Sequence, residues 1–189
     1  DTDPGLPTLA PTDNVIKQQQ HYICALKKLG VNGFRIDAAK HLSAQHIEKV
    51  WTPNICADVR VFGEIITDGG VGKAEYEIFL QPFVKHTSFD AYDFPLFHSI
   101  LNVFEHNTSM KSLLSVEENG QCLAPDRAIT FAVTHDIPNN DIFRNQLMSP
   151  QHEQLAYCYL LGACDGSPLI YTDLNTSNDY DSLGHPRWM

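Results

Sequence analysis

The sequence predicts an α/β protein built on a parallel sheet covered by helices. Three observations carry this expectation. Short apolar segments alternate with helix-like patterns along the chain. The stretches between successive strands are long enough to cross over and pair in parallel. The strands, such as 59–64 and 128–133, are apolar on both sides, as a sheet buried on two faces requires. An open doubly wound sheet would satisfy the same pattern, but no GxGxxG loop follows any strand.

The elements follow in order. Residues 1–13 are rich in Pro, Asp and Thr and read as a loop. Thr12 or Asp13 caps a helix running to about Leu29, with Val15, Ile16, Ile23, Leu26 and Leu29 on its apolar side. Gly30 ends it. A strand at 33–37 follows, and Ser43 starts a second helix through Ile47 and Val50. The next strand, 59–64, is ended by Asp68-Gly69-Gly70. Residues 74–84 form a short helix. Ser88–Phe94 reads as a strand stopped by Pro95, and 96–104 and 109–116 as helices. A β-rich run at 128–133, a helix from His152 to Leu161 and a strand from Ser167 to Tyr171 complete about five strand–helix units.

Composition narrows the function. The 189 residues are 43% apolar and 19% charged, which is the globular range. A formal net charge of −10 argues against nucleic acid or an anionic membrane as partner. No apolar run reaches the roughly 18 residues of a membrane span. The five cysteines are odd in number and form no CxxC pair, so neither a zinc site nor a disulfide framework is signalled. Cys24 and Cys158 read as buried apolar groups, and one disulfide stays open. Asp1 and the last residues, Gly184–Met189, do not read as natural ends, so a piece of a longer protein is expected.

The chemistry concentrates at strand ends. In the run Gly33-Phe34-Arg35-Ile36-Asp37-Ala38-Ala39-Lys40-His41, Arg35 and Asp37 point to one face of a strand. A guanidinium beside a carboxylate holds it ionised, and an ionised, desolvated Asp is a candidate nucleophile. Two further strands end in acids. Val61-Phe62-Gly63-Glu64 ends in Glu64, and Phe131-Ala132-Val133-Thr134-His135-Asp136 ends in Asp136. Each alone reads as a cap or loop residue. In a parallel barrel, however, C-terminal strand ends converge on one face, so Asp37, Glu64 and Asp136 can meet there with Arg35 and His135. Two carboxylates in different settings are the equipment of glycoside hydrolysis. Arg35 keeps Asp37 charged, and the apolar setting of Glu64 raises its pKa, as a general acid needs.

These residues carry a resemblance. Gly33–His41 resembles the nucleophile motif of the α-amylase family of glycoside hydrolases. Phe62-Gly63-Glu64 is similar to its acid/base motif, and Phe131–Asp136 to the motif holding its third carboxylate. Gly166–Tyr171 resembles its last barrel strand, and Leu6-Pro7-Thr8-Leu9 a weaker motif at the end of its inserted loop domain. The resemblance implies a (β/α)8 TIM barrel, with 1–13 as the end of the inserted domain or a linker. Residues 14–189 would be a partial catalytic domain of about the last five βα units, lacking its first strands. It implies retaining endo-hydrolysis of α-1,4-glucosidic bonds in starch-like glucans. Asp37 would be the nucleophile, Glu64 the acid and then the base, and Asp136 the group that holds the sugar at the cleavage point. Arg35 would orient Asp37. His135 would donate to hydroxyls of the same sugar, and Lys40 and His41 would contact the sugar on the leaving-group side. The backbone carbonyl of His41 would bind a structural calcium. An α-glucan is the implied partner, and an extracellular or periplasmic location follows from a polymeric substrate.

Some positions depart from the family. Its first motif, an Asp three residues before an Asn-His pair, is absent. Thr8 stands where an Asp that supports calcium is common, Thr134 where Asn is common, and Thr172-Asp173-Leu174 replaces the acidic end of the last motif. An α-glucosidase, an oligosaccharide-forming amylase or a glucanotransferase shares the same chemistry. A non-catalytic binding module of the same fold is opposed by the retention of all three carboxylates. The 189-residue segment expressed alone is expected to fold poorly and to cleave little starch. A cooperative melt together with starch cleavage by that segment would overturn the expectation.

Overall fold

A computed structural model describes residues 10–140, 142–162 and 165–171, with Asn139 and Arg144 described by backbone alone. Five parallel strands form one sheet: β1 (Gly33–Ile36), β2 (Arg60–Gly63), β3 (Asp90–Tyr92), β4 (Ala128–Thr130) and β5 (Ser167–Pro168). Their order in the sheet is their order in the chain. Ile36 pairs with Gly63, Phe62 with Asp90, Tyr92 with Ile129, and Thr130 with Pro168. The parallel α/β architecture is as the sequence predicts.

Helix α1 (Asp13–Lys28) precedes β1, and helices cross over between the strands: α2 (Ala44–Val50), α3 (Pro53–Cys56), α4 (Gln81–His86), α5 (Phe94–Phe104), α6 (Asp136–Asn139) and α7 (Pro150–Gly162). Their starts are set by side-chain caps. The Thr12 hydroxyl accepts from the Val15 N–H, Ser43 from His46, and Asp93 from Leu96. Lys27 and Lys28 in the last turn of α1 face its negative dipole end, and Gly30, at φ +94°, turns the chain out of the helix.

Ile36, Val61, Leu80, Phe83 and Ala91 pack in one apolar cluster, and Tyr92, Phe94, Phe97, Ile100 and Phe131 in a second. Tyr92, Phe94 and Phe97 are core residues. A groove of about 300 Å³ is lined by Arg35, Phe62, Ile129, Ser167 and Leu169. It collects residues from β1, β2, β4 and the β5 edge.

Several expectations need correction. The strands at 88–94, 128–133 and 167–171 are shorter, ending at Tyr92, Thr130 and Pro168. Phe94 already belongs to α5, because Asp93 caps that helix instead of extending the strand. The 74–84 helix is a π-helical turn, Tyr76–Leu80, followed by α4. Residues 110–115 form a 3₁₀ helix. Cys158 is exposed on α7, where Leu155 and Leu161 are exposed as well, and Cys24 is half-buried on α1. No disulfide joins the described cysteines. Residues 1–9, Cys164 and Thr172-Asp173-Leu174 lie outside the described residues.

The end of β2 is fixed by a close approach. A Cβ on Gly63 would stand 2.6 Å from the Phe83 ring, so only glycine lets α4 close on the strand just before Glu64. Gly63→Ala is expected to destabilise the protein by about 1–3 kcal/mol through overpacking. Chemical denaturation midpoints of the two proteins check this, and an unchanged midpoint counts against the packing argument.

Candidate active site

Arg35 is the hub of the site. It projects from β1, with Nη1 2.8 Å from Asp37 Oδ1 and Nη2 2.5 Å from Glu64 Oε1. Nη2 also lies 3.8 Å from Asp136 Oδ2. One guanidinium thus gathers the three carboxylates that the sequence singles out from three different strand ends. Its Cζ stands 6.0 Å from the centre of the Tyr92 ring. Burial works against the charge of Arg35, but the hydrogen bond and charge of Glu64, with that of Asp37, outweigh it and raise its pKa.

The two leading carboxylates have opposite exposure. The Asp37 side chain is 78% exposed and that of Glu64 only 10%. The expected desolvation of Asp37 is therefore not found. Asp37 lies one residue past β1, and Ala38, at φ +48°, turns the chain away from the sheet there. The setting of Glu64 is buried, beside Ile65 and Ile66, but not simply apolar. Its Oε1 accepts from Arg35, and its Oε2 accepts from the Ala38 N–H at 3.1 Å. Backbone bonds bind the same two strand ends: the Glu64 N–H donates to the Ile36 carbonyl at 3.0 Å, and the Lys40 N–H to the Glu64 carbonyl at 3.3 Å.

Asp136 opens α6, and His135 Nε2 stands 3.4 Å from its Oδ2. Both side chains are partly exposed. Glu64, Ile66, Thr134 and Asp136 line one small cleft, closed at its back by Phe94, Ile137 and Phe143. Arg35 and His135 both reach the Asp136 carboxylate.

Lys40 does not stand free to meet a sugar. It sits in the 3₁₀ turn Ala39–His41, its ammonium pairs with the Glu75 carboxylate, and it lies 5.0 Å from the centre of the Phe79 ring. His41 is exposed, and its N–H donates to the Ala38 carbonyl at 2.9 Å. Asp90 and Asp93, which match no catalytic position, have structural partners. Asp90 pairs with Arg60, at 2.5 Å. Asp93 accepts from the Leu96 and Leu123 N–H groups, while burial pushes its carboxyl up to about 7.

Sequence reasoning missed three contributors. Glu75 engages Lys40. Tyr92 underlies Arg35. His98, on α5, donates from Nε2 to the Thr67 carbonyl at 2.8 Å and so pins the segment that follows Glu64. No spacing rule marks them, because each acts on a residue about 30 or more positions away or from inside an aromatic core.

Comparison with known proteins meets this geometry. No family model matches the chain. The chain is 48% identical over 186 residues to an α-amylase of Aeromonas hydrophila, covering 98% of this chain and 39% of that protein. The chain belongs to the α-amylase family. This α-amylase-family chain is also 29% identical over 149 residues to a cyclomaltodextrin glucanotransferase of Bacillus licheniformis, covering 76% of this chain and 19% of the relative. Its fold matches that of α-amylase I of Eisenia fetida, with a TM-score of 0.67, 18% identity and coverage of 98% and 42% of the two chains. It matches the cyclomaltodextrin glucanotransferase CldA with a TM-score of 0.70, 22% identity and coverage of 93% and 36%. The chain spans about two-fifths of the length of the Aeromonas relative.

The His98 contact gives a pH dependence with a definite sign. Burial holds the His98 pKa below its ordinary value, so the imidazole in the α-amylase-family fold is neutral. An unfolded His takes up its proton near pH 6.5. Stability is therefore complete above that pH and is lost as pH falls below it. His98→Gln keeps an N–H donor and removes the titration. It is expected to lose less melting temperature than wild type between pH 7 and pH 5. Equal losses would remove His98 from the account.

Proposed function

We propose that the protein is a retaining glycoside hydrolase acting internally on α-1,4-linked glucans. The observation that carries this is one guanidinium joining Asp37 to Glu64 at the ends of adjacent parallel strands, with Asp136 at its edge. Asp37 is exposed and paired with a cation, so it is open to attack an anomeric carbon. Glu64, buried at the wall of the cleft and paired with Arg35 in the resting site, takes up a proton from solvent and then protonates the leaving oxygen. The attack forms a glucosyl ester on Asp37 and breaks the glycosidic bond. Glu64, now ionised, then takes a proton from water, whose oxygen displaces Asp37 with a second inversion. Asp136 and His135 hold hydroxyls of the sugar under attack, and Arg35 stabilises the carboxylates as charge moves among them.

The architecture we propose is a (β/α)8 TIM barrel to which residues 14–189 contribute βα units. The five-stranded parallel sheet, with its strands in chain order, supports this reading. Residues 1–13 belong, in the same reading, to an inserted domain or linker. Calcium fits only in part. The His41 carbonyl offers one hard oxygen, but among the described residues no group of three or more His, Cys, Asp or Glu converges to hold an ion. No step is routed through calcium. A polymeric substrate favours an extracellular or periplasmic location. No helix of the described residues is long and apolar enough to cross a membrane.

A glucanotransferase differs only in the acceptor, a sugar hydroxyl in place of water, and the match to a cyclomaltodextrin glucanotransferase keeps that reading in view. Chromatography of the products from soluble starch separates the two. Retention is tested by NMR of the first product of the full-length protein, expected as the α-anomer. Glu64→Gln is expected to lower hydrolysis by roughly 10²–10⁴-fold. Undiminished hydrolysis would overturn the assignment of Glu64.

A further inference from the structure

The Tyr92 ring is the fixed surface on which the site is assembled, although it reads as plain core in the sequence. Tyr92 closes β3 and is 3% exposed. Its ring is locked edge-on by Phe62 at 5.0 Å, Phe131 at 5.1 Å and Phe94 at 6.2 Å between ring centres. The guanidinium of Arg35 lies against this immobile ring. Arg35 needs such a support. It ends a flexible stem, and three carboxylates of very different exposure pull on it. Phenylalanine would fill the core equally well, yet the phenol is present in a dry position. Burial raises its pKa, Arg35 lowers it, and Glu64 and Asp136 raise it, so the hydroxyl shares the field of all three groups.

We propose that Tyr92 is a positioning residue: its ring and hydroxyl fix the Arg35 guanidinium in the orientation that joins Asp37 to Glu64. This rests on the glycosidase reading of the same site. The ring restrains the tilt of the planar guanidinium, and the hydroxyl restrains its rotation in the plane of the fork. Without them Arg35 remains charged but drifts from the exposed Asp37 first, because the buried Glu64 holds it more firmly. The carboxylate that Arg35 leaves is then no longer held in its attacking position. A displacement of about 1 Å in such a centre can cost about 100-fold in rate.

The test compares Tyr92→Phe and Tyr92→Leu with wild type in the full-length protein, with Glu64→Gln as control. Expected for Tyr92→Leu is a kcat about 100-fold lower with a KM within about threefold of wild type. Tyr92→Phe keeps the ring and is expected to lose about tenfold in kcat, again with KM little changed. A residue that only fills the core would lower the melting temperature and leave the kcat of the folded protein at the wild-type value, and that result overturns the proposal. If the leucine variant does not fold, the phenylalanine variant decides by the same split of kcat from KM. A Glu64→Gln protein that still hydrolyses starch would refute the glycosidase reading itself. An inactive Glu64→Gln with unmoved Tyr92 variants would refute only the role of Tyr92.

Discussion

The ion pair between Arg35 and Glu64 is the interaction on which the site depends. Arg35 touches three carboxylates, but the contacts are not equal. Its bond to the exposed Asp37 is bathed in water, where such a pair contributes no more than about 0–1 kcal/mol. Its bond to Glu64 is mostly buried, and breaking a buried pair costs about 3–5 kcal/mol because a charge is left without a partner. Glu64 therefore anchors the guanidinium, and the anchored guanidinium reaches Asp37. The carboxylate proposed as acid fixes the cation that serves the carboxylate proposed as nucleophile.

Backbone geometry supports that arrangement from a second direction. Ala38 occupies a left-handed conformation that costs an L-residue about 1–2 kcal/mol. The conformation aims the Ala38 N–H at Glu64 Oε2 while the neighbouring Glu64 N–H and carbonyl bond back to Ile36 and Lys40. Glu64 is thus held at both oxygens and on both sides of its own peptide. Such a group does not need to reorganise when charge develops beside it. The absence of a side chain at Gly63 lets Phe83 close against the same turn, so packing and hydrogen bonding agree on one position for it.

The parts of the fold that depend on local pattern were legible in the sequence. Apolar runs located all five strands, and caps such as Thr12 and Ser43 located two helix starts. Asp37 and Glu64 were legible because each stands one residue past its strand, and Asp136 because an apolar run leads up to it. What could not be read was set by distant contacts. Glu75 meets Lys40 and His98 meets Thr67 across about 30 or more positions, with no periodicity to announce either pair. Tyr92 was hidden by its company, since a tyrosine among phenylalanines looks like filling until the guanidinium above it is seen. The exposure of Asp37 escaped for a local reason, the left-handed turn at Ala38, which alanine does not advertise as glycine would. Cys158 misled because α7 is apolar on more than one face.

The strand order has a consequence for how the molecule comes into being. Because neighbours in the sheet are neighbours in the chain, each strand finds its partner already made when it leaves the ribosome. The segments between successive strands run from 23 to 36 residues, so the entropy of each closure is similar and modest. Asp37 and Glu64 sit beside β1 and β2, an adjacent pair that is synthesised before β4. The centre that joins them can begin to assemble before Asp136 has been synthesised, and the last carboxylate arrives at a site whose charge is already set.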